Sequence, residues 1–121
     1  MRTCLVADDS SVVRKVARHI FESHGFSVVE ASDGRQALDL VLREMPAAIL
    51  LDWSMPTMDG FDVLKALRAM PGGDQPKVMF CAVENDLATL ARARHGGADE
   101  TILKPFDHQV LTAKMHAVGL I

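Results

Sequence analysis

Short apolar runs alternate along this chain with longer stretches in which apolar residues return every three or four positions, and the alternation repeats five times. The short runs, Thr3–Ala7, Phe26–Glu30, Ala48–Leu51, Lys77–Ala82 and Glu100–Leu103, are mostly unbroken hydrophobic segments. Such segments suit strands covered on both faces, whereas the half-polar second run predicts a sheet edge. Between the runs, Val13, Val16, Ala17, Ile20 and Phe21 share one helical face, as do Ala37, Leu38, Val41 and Leu42, then Phe61, Leu64 and Leu67. Leu87, Leu90 and Ala91 continue the pattern, followed by Val110, Leu111, Lys114 and Met115. His24-Gly25, Asp33-Gly34, Pro46, Pro71-Gly72-Gly73 and Gly96-Gly97 punctuate the elements, where glycine closes helices and proline cannot extend them. This alternation predicts an α/β doubly wound parallel sheet of five strands and five helices.

With 121 residues, 49% hydrophobic and 24% charged, the chain has the size and balance of a single domain over 1–121, with one sizeable core and no second module. Lys plus Arg of 13 against Asp plus Glu of 16 leaves a net charge of −3, so no basic field invites DNA. Cys4 and Cys81 lie in apolar runs and are expected as buried thiols in a reducing cytoplasm. Asp8-Asp9 interrupts the first apolar run too early for an export signal. No stretch approaches the ~18 apolar residues of a membrane span, so no membrane insertion is expected.

In a doubly wound sheet, ligands gather beyond the carboxyl ends of the strands, where strand order reverses. The first predicted strand ends at Asp8-Asp9, the third at Asp52 and the fifth at Lys104-Pro105, so three carboxylates and one ammonium converge on one edge. A lone acidic residue at a strand end commonly caps a helix or solubilises a loop, but coincidence is a poor account of all four. Clustered carboxylates raise one another's pKa, so keeping them ionised calls for a cation, and an all-oxygen donor set suits Mg²⁺ bridging Asp9 and Asp52. A carboxylate beside a metal can attack a phosphoryl group and form an acyl phosphate. Asp52 is then the nucleophile, and Lys104 neutralises charge on the transferring oxygens.

The segments L-V-A-D-D, L-L-D-W-S-M-P-T-M-D-G and I-L-K-P-F resemble the response-regulator receiver domain, and the likeness runs from Thr3 to about Val118. Stretches such as M-P-G-G-D-x-P-K-V and E-N-D are similar in particular to single-domain, chemotaxis-type receivers of α-proteobacteria. The resemblance implies a flavodoxin-like (CheY-like) fold with strand order 2-1-3-4-5. It also implies Asp52 as phosphoacceptor, Asp9 and Asp52 as Mg²⁺ ligands with the backbone carbonyl of Ser54 as a third, and Asp8 as an acid acting mainly through water. Lys104 would contact the phosphoryl group, Pro105 would follow a cis peptide bond, and Met55-Pro56, Asp59 and Gly60 would form the turn into the third helix.

Two positions depart from that pattern. Receivers usually carry Thr or Ser at the end of the fourth strand, where the hydroxyl bonds a phosphoryl oxygen, and Tyr or Phe on the fifth strand, whose ring rotates inward. Here the residues are Ala82, which has no hydroxyl to donate, and Thr101, which has no ring. Retained phosphoryl chemistry with weakened or unusual switching is expected. A dead or altered receiver held in one conformation and an off-by-one register are the alternatives. Ser54 and Glu84 occupy the positions whose side chains overhang the phosphoryl group, where the small Ser54 leaves room for the attacking water and Glu84 holds or repels it.

Trp53, the lone tryptophan, follows Asp52 and should report on the pocket by fluorescence, besides packing beside it. Arg14, Lys15, Arg18 and His19 give the first helix a basic face that is either simply solvated or docks an acidic patch of a phosphotransfer domain. Arg92 and Arg94 on the fourth helix are weak candidates for an anionic nucleotide. The histidines show no metal-ligand spacing, the methionines read as core filler, and Asp-Asp-Ser-Ser in the first turn excludes a flavin-phosphate cradle. The expected protein is a monomeric, cytoplasmic, stand-alone response regulator without an output domain, and not a conventional enzyme. A histidine kinase or histidine phosphotransfer protein would phosphorylate it, and a flagellar or kinase target would read it, in chemotaxis or motility control. The rival is a phosphorylation-independent adaptor that binds a protein or nucleotide on the same fold.

Overall fold

The computed structural model describes residues 2–83 and 86–121. Its strands are β1 (Thr3–Ala7), β2 (Ser27–Ala31), β3 (Ala48–Asp52), β4 (Lys77–Val83) and β5 (Glu100–Lys104). The helices that alternate with them are α1 (Ser11–Ser23), α2 (Gly34–Arg43), α3 (Gly60–Ala69), α4 (Leu87–His95) and α5 (His108–Ala117). The sheet is parallel throughout in the order β2-β1-β3-β4-β5, so β2 is an edge strand as its half-polar composition predicts.

Side chains alternate across the sheet and build a core on each face. Cys4 and Val6 of β1, with Leu50, Met79, Cys81 and Ile102, pack under α1 and α5. Leu5 and Ala7, with Ile49, Leu51, Val78 and Phe80, pack under α2, α3 and α4. Four helices begin on a side-chain cap: Ser10 accepts from Val13 N at 3.3 Å, Asp33 from Gln36 N at 2.8 Å, Asp59 from Asp62 N at 2.9 Å and Asp107 from Val110 N at 2.9 Å. These caps start α1, α2 and α5 within four residues of the preceding strand, while residues 53–59 lead from β3 into α3. The carboxyl edge of the sheet is thereby ringed by short loops.

Several predicted faces differ from what is observed. Phe26 precedes β2 and seals the lower core instead of opening the strand. Val16, Leu42 and Val110 are exposed, because a buried helix face here is only as wide as the sheet row beneath it. On α4 the expected stripe of Leu87, Leu90 and Ala91 is rotated: Leu87 is 76% exposed and Ala93 is the residue that is buried. This helix lies over β4 and the edge strand β5 with α3 on one side, so its buried face is narrow and the small Ala93 fills it.

Candidate functional site

β1 and β3 are neighbours, so the residues at their carboxyl ends meet. Asp8 and Asp52 are 2% and 3% exposed, while Asp9 faces solvent. One carboxylate oxygen from each of the three lies within 4.8 Å of the others. Lys104 reaches across from the end of β5, past β4, and its Nζ stands 3.1 Å from Asp8 Oδ2 and 3.0 Å from Asp52 Oδ1. The Lys104–Pro105 peptide bond is cis. One ammonium thus sits between two buried carboxylates, with a third at the rim.

The electrostatics follow from that count. Burial pushes the Asp52 carboxyl up, the Asp8 charge pushes it further and Lys104 pulls it back, leaving it at about 6. Burial pulls the Lys104 ammonium down, but its bonds and charge pairing with Asp52 and Asp8 outweigh that and raise it. Asp52 is therefore a carboxylate at neutral pH, held in a site short of positive charge. Hard oxygen donors, one open to water, form a set that fits Mg²⁺.

The site is aimed by its surroundings. Asp8 Oδ1 accepts from Ser10 N at 2.9 Å, and its backbone carbonyl accepts from Arg14 Nη1 at 2.7 Å. Gly60 N donates to the Trp53 carbonyl at 2.8 Å, and a Cβ at Gly60 would run into the Asp52 carbonyl oxygen. Only glycine lets α3 start this close to the end of β3. Between them, Thr57 adopts φ +66°, a left-handed conformation that is uncommon for a β-branched residue.

The chain matches the response regulator receiver domain over residues 4–116. It belongs to that family. Among curated relatives, the response regulator MprA of Mycolicibacterium vanbaalenii is 36% identical over 114 residues, covering 94% of this chain and 48% of the relative. MprA of Mycobacterium avium is 34% identical over the same share of this chain and 49% of its own. The chain thus spans about half the length of the curated relatives it matches. The chemotaxis response regulator CheY4 of Vibrio cholerae superposes with a TM-score of 0.91 at 28% identity, over 98% of both chains. The receiver domain of a signal transduction histidine kinase from Syntrophus aciditrophicus reaches 0.86 at 26% identity, over 98% of this chain and 89% of that one. Receiver domains generally bind Mg²⁺, in keeping with the acidic cluster found here. Among the described residues, no helix is long and apolar enough to cross a membrane.

Within this receiver the structure joins Asp8, Asp9, Asp52 and Lys104 and leaves the remaining candidates around them. Ser54 is exposed in the loop after β3. Ala82 is fully buried at the end of β4, one residue past the Cys81 that pairs with Asp52. Thr101 is 8% exposed, and its hydroxyl accepts from Arg94 Nη2 at 3.3 Å. Glu84 lies outside the described residues. Arg94 is engaged by Glu100 at 2.5 Å and points to β5, so it shares no pocket with Arg92. The basic face of α1 is also partly spoken for, since Arg14 and Arg18 bind Glu30 at 3.0 and 2.7 Å. Lys15 and His19 remain on the surface.

Sequence reasoning missed the holding roles of Arg14 and Arg68. Arg68 ties α3 to two loops by donating to the carbonyls of Gly73, Pro76 and Gly97 and to the Asp99 carboxylate. A lone arginine on an amphipathic helix gives no sign of such a role.

Proposed function

We propose that Asp52 accepts a phosphoryl group from the phosphohistidine of a histidine kinase or a histidine phosphotransfer protein. What carries this reading is Lys104 Nζ, 3.0 Å from Asp52 and 3.1 Å from Asp8 in an otherwise acidic pocket. A carboxylate titrating at about 6 is ionised at cellular pH and available to attack. The new bond joins phosphorus to an Asp52 oxygen, the phosphorus–nitrogen bond breaks, and its electron pair returns to the imidazole. Lys104 lies within reach of the same oxygens and donates to the charge developing on them. Asp8 keeps the ammonium aimed. Asp9, Asp52 and the Ser54 carbonyl would hold Mg²⁺, with Asp8 acting through water, and the ion would neutralise the phosphoryl oxygens.

The protein is then a switch or phosphate sink and not a conventional enzyme, with Ser54 and Glu84 setting access of the hydrolytic water. The apolar surface beside Lys104, formed by Val12, Val16 and Phe106, offers a phosphodonor protein a place to dock, with Val12 69% exposed. Likeness to CheY4 along essentially the whole chain supports chemotaxis or motility control in the cytoplasm, through a partner such as the flagellar switch or a kinase. The buried Ala82 and the Arg94-bound Thr101 favour a second reading, an adaptor whose partner affinity ignores phosphorylation.

Incubation with Mg²⁺ and phosphoramidate, followed by intact mass, tests the chemistry. A phosphoryl adduct that vanishes with EDTA and in Asp52→Asn is expected. Its absence would overturn the phosphoacceptor and leave the adaptor.

A further inference from the structure

A cleft of about 330 Å³ lies between α3 and α4, lined by Phe61, Leu64, Lys65, Arg68, Arg92 and His95 and by none of Asp8, Asp9, Asp52 or Lys104. Three features give it the character of an anion site. First, two of its cations, Lys65 and Arg92, are free of carboxylate partners among the described residues, in a protein whose net charge is −3. Arg14, Arg18, Arg35, Arg94, Lys104 and Lys114 all pair with a carboxylate. Arg68 does so too, whereas among the described residues Arg2, Lys15, Arg43, Lys65, Lys77 and Arg92 do not, and of these Lys65 and Arg92 stand together in this cleft. Second, the walls are held in place. The Arg68 side chain is fixed by three carbonyls and Asp99, and the Arg92 guanidinium lies 3.9 Å over the Phe61 ring. Third, the carbonyls of the last α4 turn, which would repel an anion, already accept from the amides of Gly96, Gly97 and Ala98.

We propose that this cleft binds a small phosphorylated ligand. Lys65 and Arg92 take the phosphate, and the group that carries it lies against the outer face of the Arg92 guanidinium, whose inner face covers Phe61. The cleft volume equals that of about ten waters, enough for a phosphate joined to one ring and too small for a helix. Arginine presents a planar fork to phosphate oxygens, and its outer face is free to stack on a flat ring. The cleft is also connected to the strand end that carries Asp52. Trp53 packs on Phe61 at 6.4 Å between ring centroids, and Phe61 packs on Phe80 at 5.0 Å. A ligand that pulls on the Arg92 guanidinium over Phe61 therefore changes the surroundings of Trp53.

The test titrates the Asp52→Asn chain in EDTA with pyrophosphate and with AMP, by calorimetry and Trp53 emission. Removing metal and acceptor prevents phosphorylation at position 52, so failure of the phosphoacceptor reading leaves this measurement intact, and loss of binding in the cleft variant separates this site from Lys104. Saturable binding with a change in Trp53 emission is expected, weakened at least about tenfold in Lys65→Gln/Arg92→Gln and unaltered in Lys15→Gln. Tighter binding of AMP identifies a ring-bearing ligand, and tighter binding of pyrophosphate identifies a polyphosphate. Absence of saturation up to about 10 mM, or equal affinity in the double variant with its circular dichroism unchanged, would overturn the site. Binding of a glutamate-rich peptide with none of either phosphate compound would overturn it as well.

Discussion

Replacing Asp52 with asparagine should make the metal-free protein more stable at neutral pH, because the pocket holds three carboxylates against one ammonium. Lifting the Asp52 carboxyl from 3.8 to about 6 corresponds to about 3 kcal/mol of unfavourable free energy for its charged form. That value already contains the opposing pull of Lys104. Asp52 is 3% exposed but stands beside the solvated Asp9, so screening at the rim reduces the recoverable part to about 1–2 kcal/mol. The sign sets the pH window. Between 3.8 and about 6 the native protein binds more protons than the unfolded chain, so wild-type stability falls as pH rises through that interval and levels off above it. Asparagine has no proton to lose, and this part of the slope should vanish. Urea unfolding in EDTA, followed by far-ultraviolet circular dichroism at about pH 4 and about pH 7.5, measures both quantities. Adding Mg²⁺ should then stabilise the wild type more than the variant, since ligand that binds only the native state adds to its stability. Equal or lower stability of Asp52→Asn at the higher pH, or an unchanged slope, would refute the electrostatic account of this pocket.

Lys104→Met removes the ammonium between Asp8 and Asp52. It should raise the Asp52 carboxyl further above 6 and slow adduct formation, which titration by nuclear magnetic resonance and intact mass would register. Gly60→Ala sets a methyl group against the Asp52 carbonyl and should cost about 2–4 kcal/mol, read from thermal unfolding; a loss below about 0.5 kcal/mol would contradict the close approach. Arg68→Ala removes the donor to the carbonyls of Gly73, Pro76 and Gly97 and leaves the Asp99 carboxylate with Val78 N. It should cost about 2–3 kcal/mol in urea unfolding and speed hydrogen exchange in the loops before β4 and β5.

Much of the fold was legible in the order of residues. Runs such as Ile49–Leu51 and Val78–Ala82 have no polar face to show to water, which marks them as interior strands, and the half-polar run Phe26–Glu30 pointed to the edge where β2 (Ser27–Ala31) lies. The placement of Asp8, Asp9, Asp52 and Lys104 was equally readable, because each ends or directly follows a strand and parallel strands bring their carboxyl ends to the same side. The caps at Ser10, Asp33, Asp59 and Asp107 act over three residues and so depend on local sequence, although only the structure reveals them.

What only tertiary structure decided concerns partners distant along the chain. The α4 stripe was misread because Ala93 is buried by what lies beneath it, and residue size at 87–91 says nothing of that. Arg14, Arg18, Arg68 and Arg94 look alike in sequence, yet they meet Glu30, Asp99 or Glu100, whereas Arg92 meets the Phe61 ring. Hydrophobic periodicity is set by which face meets the core and can be read one helix at a time. A charged side chain has no such period, and its partner is chosen by whichever element the packing brings within reach.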